Sequence, residues 1–315
     1  MNIDKNLIAS FIRSTEMAAY GASLFKGKND KFAADQAAVD KMRIELNKIN
    51  MKGRIVIGEG ELDEAPMLYI NEKVGTKNGE EFDIAVDPLE GTNFTAKNLP
   101  NALSVIAVTR KGNLLHAPDI YMQKIAIGPK LPENLIDLDF GIEKNIKILS
   151  EAKNTKPEKL SACVLKRPRH DSIVKSLNSM GVKINFITDG DVLGVISVAH
   201  NNQLNNDIYI GVGGAPEGVL AAAALKCLNC QMQTRLVFQD KNEKERTIKL
   251  GIKDLNKKYN IEDMVKDDVI FSATGVTDGD LVKGIKNHSD HFQSETFILH
   301  KSSNTNKIVT SRIKK

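Results

Sequence analysis

Along the first fifty positions the apolar residues recur at the three- and four-residue spacing of a helix, then shift to the tighter alternation of strands. Val39, Met42, Leu46 and Ile49 fall on one face and predict a helix over 30–50. One turn earlier the same stripe carries Asp35. An acid there is costly unless it is paired, holds a metal, or sits early enough in the helix to stay wet. The run over 54–57 predicts a strand. It leads into Gly58-Glu59-Gly60-Glu61-Leu62-Asp63-Glu64-Ala65-Pro66, with a helix expected over 66–74 and Asp63 as its N-cap. Glu59 then stands at the carboxyl end of a strand, where α/β sheets place ligands. Further strands are expected over 82–86 and 102–109.

Residues 129–159 are rich in Lys and Asn around a helical span at 142–149, and the subdomain junction is expected there, giving units 1–155 and 156–315. Beyond it the pattern alternates. Strands are expected over 160–165, 182–187 and 207–210, and helices over 171–180 and 191–199. An Ala-rich helix should follow Gly211-Val212-Gly213-Gly214-Ala215-Pro216-Glu217-Gly218, and strand-like pieces lie at 269–271 and 295–299.

Candidate chemistry gathers where these elements meet. Asp87-Pro88-Leu89-Glu90-Gly91-Thr92 follows the strand over 82–86, with Gly91 opening the backbone into a helix at Thr92. Asp87 and Glu90 can hold a hard divalent cation through oxygen, and the N–H groups of a new helix can receive a phosphate oxygen. The alternative is a Pro–Gly turn with solvated acids. Asp35, Glu59, Asp87, Glu90 and Glu217 together supply what a Mg²⁺ or Mn²⁺ site needs. The segment 211–218 fails the dinucleotide pattern because Pro216 stands where the third glycine belongs, and no P-loop is present. Its backbone at Gly213 and Gly214 can still approach an anion. Arg167 and Arg169 straddle Pro168 past a strand and are a candidate clamp for a second phosphate. In Asp189-Gly190-Asp191, Asp191 is placed to cap a helix and Asp189 to accept from sugar hydroxyls. His170 is either an acid–base group or a packing residue, and His288 and His291 are expected in a polar loop.

Composition narrows the field. At 315 residues, 41% hydrophobic and 27% charged, the chain reads as an ordinary globular protein of one large or two packed domains. No apolar run reaches membrane-spanning length, and the amino end lacks a secretory pattern, so a cytoplasmic location is expected. A net charge of +4, no Trp and 5% aromatic residues do not favour nucleic acid as a partner. Cys163, Cys227 and Cys230 are too few for a disulfide framework and have no matching zinc ligands.

Taken in order, these segments resemble the class II fructose-1,6-bisphosphatases of the lithium-sensitive, metal-dependent sugar phosphatase superfamily. The resemblance rests on residues 34–39, 57–67, 83–92, 117–122, 167–171, 189–192 and 211–218, and runs over about 10–283. It implies a layered α/β/α/β/α sandwich of two packed subdomains. It also implies removal of the 1-phosphate of fructose 1,6-bisphosphate, a gluconeogenic reaction, by in-line attack of an activated water. Sedoheptulose 1,7-bisphosphate, both sugars, or a non-catalytic sugar-phosphate sensor are the alternatives. Asp35, Glu59, Asp87, Glu90 and Glu217 would bind Mn²⁺ or Mg²⁺, and Asp63 and Thr92 would position or deprotonate water. Lys31, Glu90, Gly91, Thr92, Tyr121, Arg167, Pro168, Arg169, Asp189, Gly190, Asp191 and Gly214 would contact substrate. Partners would be a small sugar bisphosphate and further copies of the chain, as dimer or tetramer, with no nucleic acid and no membrane. The chain departs from the family pattern at Asn29, where glycine is usual, at Cys230, and at His300-Lys301.

Overall fold

A computed structural model describes residues 2–58, 68–199 and 205–315. The chain forms two compact units, Met1–His116 with Val265–Lys315, and Ala117–Met264. The first begins with helices α1 (Ile8–Ser23) and α2 (Lys31–Leu46). Asp30 caps α2 by accepting from the Ala33 N–H at 2.9 Å. Ala34, Ala38, Val39, Met42 and Leu46 are the buried stripe of α2. Strands β1 (Met51–Ile57), β2 (Lys73–Val74), β3 (Glu80–Glu90) and β4 (Leu103–Arg110) follow, with helix α3 (Thr92–Ala96) between the last two. The helix expected over 66–74 is not formed in its described part. Residues 68–72 make a turn and loop, and β2 pairs antiparallel with β1. Ladder bonds outweigh the local spacing there.

The second unit carries β5 (Tyr121–Ile127), α4 (Ile142–Ala152), β6 (Ser161–Leu165), α5 (Asp171–Ser179), β7 (Lys183–Ile187) and α6 (Asp191–Ile196). It continues through β8 (Ile208–Gly214), α7 (Ala215–Cys227), β9 (Gln231–Val237), α8 (Lys241–Lys249), β10 (Lys258–Asn260) and α9 (Ile261–Met264). Its six-stranded sheet runs β10-β9-β5-β8-β6-β7, antiparallel except at β8-β6 and β6-β7. A junction at 155/156 would therefore cut this unit. The polar stretch 129–159 is a surface excursion whose helix α4 puts Ile146 and Leu149 into the core with Ile125, Ile127, Ile208 and Ile210.

The chain then returns to the first unit with β11 (Val269–Gly275), β12 (Lys286–Asn287), β13 (His291–His300) and β14 (Thr305–Lys314). The completed eight-stranded sheet runs β12-β13-β11-β4-β3-β1-β2, with β14 also on β13, and only β1-β3 is parallel. Its core joins Phe11, Met42, Leu46, Ile55, Phe82, Ile84 and Phe292. No described helix is long and apolar enough to cross a membrane.

Candidate active site

In the first unit two of the expected metal acids, Asp87 and Glu90, lie at the carboxyl end of β3. Asp87 pairs with Val105 of β4, but Glu90 pairs with Leu103, so three steps on β3 face two on β4. Side chains three apart on a regular strand point to opposite faces. The extra residue of this bulge resets the alternation and puts Asp87 and Glu90 on the same face, opposite residues that are themselves two apart. Pro88 is tolerated because a bulge leaves the ladder broken at that point. The Asp-Pro-Leu-Glu spacing is thus a device for aiming two carboxylates together. Glu90 is 5% exposed and Asp87 half-buried.

Gly91 follows at φ 81°, ψ 51°, in the left-handed region, and starts α3 at Thr92 with no side-chain cap. A Cβ at Gly91 would lie 2.9 Å from the Phe94 ring, so this turn needs glycine twice over. The loop before α2 is tied to the same helix, because Gly27 N–H donates to Thr95 O at 2.9 Å and Asn29 N–H to Ala96 O at 2.8 Å. That anchorage fixes the start of α2 relative to Thr92. Asn29 has φ 57°, the conformation the usual glycine would supply and asparagine tolerates best among the rest. Asp35 is half-buried, with Oδ1 shut from solvent. Lys31 is exposed, its ammonium 5.0 Å from the centre of the Phe32 ring.

Asp35, Asp87 and Glu90 offer only carboxylate oxygens, the donor set of a hard divalent cation. Among the described residues no three His, Cys, Asp or Glu side chains are already drawn into a cage. Glu59 and Asp63 lie outside the described residues. Glu217 belongs to the second unit.

There, the glycine-rich segment is strand rather than loop as far as Gly214, with Tyr121 opposite Gly214 and Met122 opposite Gly213. Helix α7 begins at Ala215 with Pro216 in its first turn and Glu217 half-buried beside it. A Cβ on Gly213 would lie 2.1 Å from Asp191 Oδ2, and one on Gly218 would meet Met122 Sδ at 2.7 Å. These glycines make room for neighbouring side chains.

The Arg167-Pro168-Arg169-His170 segment is bolted to β8 through both backbone groups of Val212. Arg169 Nε and Nη2 donate to Val212 O at 3.0 and 2.7 Å, while Val212 N–H donates to His170 Nε2 at 2.8 Å. His170 Nδ1 lies 2.6 Å from Leu165 O, so Nδ1 carries the proton and Nε2 accepts. Burial above all lowers the His170 pKa, and the ring is a neutral structural pin. The Arg169 guanidinium lies 4.6 Å from the centre of the Tyr121 ring. Arg167 donates to Lys166 O at 3.0 Å, and Pro168 starts the short 3-10 turn, Pro168–His170, that follows it. Asp189 is half-buried, Gly190 left-handed, and Asp191 buried at the first turn of α6, where it accepts from Lys124 and Tyr209. Sequence reasoning missed Lys124 and Tyr209. The signal was available: Lys124 sits on the inward alternation of an apolar strand between Met122 and Ala126.

The other departures also find reasons. The α7 helix ends in a left-handed Asn229 (φ 56°), with Cys230 N–H reaching back to Leu225 O at 3.0 Å. Cys230 is simply the residue after that cap, and burial pushes its thiol up to about 12. His291 is buried at the start of β13 rather than exposed in a loop, stacked on His288 with ring centres 4.4 Å apart.

Comparison with known proteins decides the class. The family model described as bacterial fructose-1,6-bisphosphatase, glpX-encoded, matches residues 5–313. The chain belongs to that family. It is 42% identical over 318 residues to the class 2 fructose-1,6-bisphosphatase of Haemophilus influenzae, covering 96% of this chain and 94% of that one. Fructose-1,6-bisphosphatase 1 class 2 of Escherichia coli is 41% identical over 315 residues, with 96% and 93% covered. A Synechococcus protein named D-fructose 1,6-bisphosphatase class 2/sedoheptulose 1,7-bisphosphatase is 40% identical over 332 residues, with 98% and 95% covered. The chain is accordingly a hydrolase of the phosphatase class.

Proposed function

We infer that this class 2 bisphosphatase hydrolyses the 1-phosphate of fructose 1,6-bisphosphate, releasing fructose 6-phosphate and phosphate. The observation that carries the reading is the β3 bulge, which turns Asp87 and Glu90 to one face immediately before the uncapped start of α3. When bound at these acids with Asp35, Glu59 and Glu217, Mn²⁺ or Mg²⁺ supplies charge neutralisation at the phosphoryl oxygens and a lower pKa for the attacking water. The Thr92 hydroxyl orients that water for in-line attack, and Asp63 takes its proton. Gly91 lets the backbone approach the departing phosphate without a side chain in the way, and first-turn amides donate to it. Arg167 and Arg169 hold the far phosphate, with Lys31 a further anion contact. Tyr121, Asp189, Asp191 and Gly214 shape the sugar site. Sedoheptulose 1,7-bisphosphate is a second substrate for the same site, favoured by the name of the Synechococcus relative. We further propose a cytoplasmic enzyme assembled from two or four copies of the chain.

The test is phosphate release from fructose 1,6-bisphosphate with Mn²⁺, with Mg²⁺, and after chelation. Turnover that needs the cation supports the reading, and kcat/KM for the two sugars then ranks them. Turnover that survives chelation would remove the five-acid site. A folded protein that binds the sugar phosphate without turnover would be a sensor.

A further inference from the structure

We propose that Lys124 is a positioning residue for the sugar end of the substrate, holding Asp191 where a sugar hydroxyl can reach it, with Tyr209 as its partner in the task. The inference rests on the reading of Asp191 as a sugar contact.

Lysine is almost never fully buried unless paired, and Lys124 is 1% exposed. It lies on β5, and its ammonium donates to Asp191 Oδ2. Tyr209, fully buried on β8, donates its hydroxyl to Asp191 Oδ1. Each carboxylate oxygen is therefore held by a donor from a different strand. Burial, reinforced by the charge of Asp191, raises the Tyr209 pKa well above that of a free phenol, so the hydroxyl stays a donor. A carboxylate oxygen offers about two lone-pair sites, so both oxygens keep capacity for a sugar hydroxyl.

The surrounding glycines fit this arrangement. Gly213 leaves space for Asp191 Oδ2, since a Cβ there would sit 2.1 Å from it. Gly218 leaves space for the lysine itself, because a Cβ there would lie 3.1 Å from Lys124 Cε and 3.7 Å from its Nζ. Lys124 thus touches Asp191 on one side and the first turn of α7, which carries Glu217, on the other. A neutral apolar residue at 124 would leave a buried carboxylate with one donor in place of two, and the loop over 189–191 would lose its anchor on β5.

The experiment compares full-length Lys124→Met, Tyr209→Phe and Asp191→Asn with the natural chain, after thermal unfolding has shown each to be folded. KM and kcat are measured for fructose 1,6-bisphosphate, and binding is measured separately for fructose 6-phosphate and for inorganic phosphate. Lys124→Met is expected to weaken fructose 6-phosphate binding about tenfold and Tyr209→Phe about threefold, with phosphate binding unchanged, as fits loss of a sugar-end contact. Equal weakening of both ligands, or a fall in kcat at unchanged KM, would make Lys124 a general packing residue and overturn the proposal. If Lys124→Met does not fold, Tyr209→Phe decides by the same criteria. Weakening by Asp191→Asn alone would sink the positioning role while keeping the sugar contact. Unchanged binding by Asp191→Asn would sink the sugar contact itself.

Discussion

Single residues carry the two ends of the reaction differently. Asp87 is aimed by the bulge at the same space as Glu90, where it would touch the cation and the reacting phosphoryl group. Asp87→Asn keeps the shape and removes the charge, and is expected to lower kcat by at least ~10²-fold, the usual scale for losing such an electrostatic contact. Steady-state kinetics on folded protein checks this, and near-normal turnover would remove Asp87 from the site. Arg169 is different, because in the proposed reading it would hold the phosphate that does not react. Its guanidinium is oriented by two hydrogen bonds to Val212 O and by the Tyr121 ring, so it enters binding preorganised. Contacts that are equal in ground and transition states change KM rather than kcat. Arg169→Ala should therefore raise KM about tenfold or more with kcat nearly kept. A loss confined to kcat would place Arg169 at the reacting phosphate instead.

Elements convert these residues into a site, and the strand-to-helix turn at Gly91 is the tightest case. An L side chain at φ 81° costs about 1–2 kcal/mol, and the added Cβ would also press on the Phe94 ring. Gly91→Ala should lower Tm by a few degrees, about 2–4 °C per kcal/mol in a chain of this size, and depress activity by more than that loss of folded protein explains. Thermal unfolding beside phosphate release tests it, and full activity in the variant would show that the turn is not held in this form during turnover. Such turns were legible in sequence because Gly and Pro act locally, and so were α4 and α5, whose apolar periods are strong, α2 through its short stripe at Val39, Met42 and Leu46, and α7 and β4 as nearly continuous apolar runs. The bulge was not legible: it exists only in the pairing of β3 with β4. Nor were β5, β9 and β14 expected. In β14 the residues alternate between exposed and half-buried only from Ile308 onward, and its strand form comes from the full-length ladder with β13. The strand character of 211–214 was hidden by its glycines, of which Gly213 admits the Asp191 side chain and Gly214 that of Glu217.

At the scale of the whole molecule, buried aspartates close loops that hydrophobic packing alone would leave open, and they give stability a defined pH dependence. Asp268, just before β11, accepts from Ile3 N–H at 2.7 Å, His300 Nε2 at 2.9 Å, and Ser302 N–H and Oγ at 2.8 and 2.7 Å. It joins the amino end of the chain to the turn between β13 and β14, which gives His300 its reason. Burial pushes the Asp268 carboxyl up, but the hydrogen bonds from His300, Ile3 and Ser302 outweigh it and hold the pKa well below the usual 3.8. Asp83 behaves alike, with donors on His116, Gly112 and Arg54 overcoming burial. In the second unit Asp207 does so through Lys153 and Ser161. A carboxyl whose folded pKa is depressed contributes stability that is fully present above its unfolded value and is lost as pH falls toward the folded one. Stability should thus be flat in this contribution from neutral pH down to about 5, and should decline below about 4. Asp268→Asn, which leaves donors facing an amide, is expected to cost about 2–4 kcal/mol at pH 7. It should also shrink the acid-side slope, because one of the carboxyls that must take up a proton on unfolding is gone. Tm measured from pH 7 to pH 3 for the natural chain and the variant gives both quantities. Two curves that stay parallel down to pH 3 would mean that Asp268 holds the first unit together without contributing to its acid sensitivity.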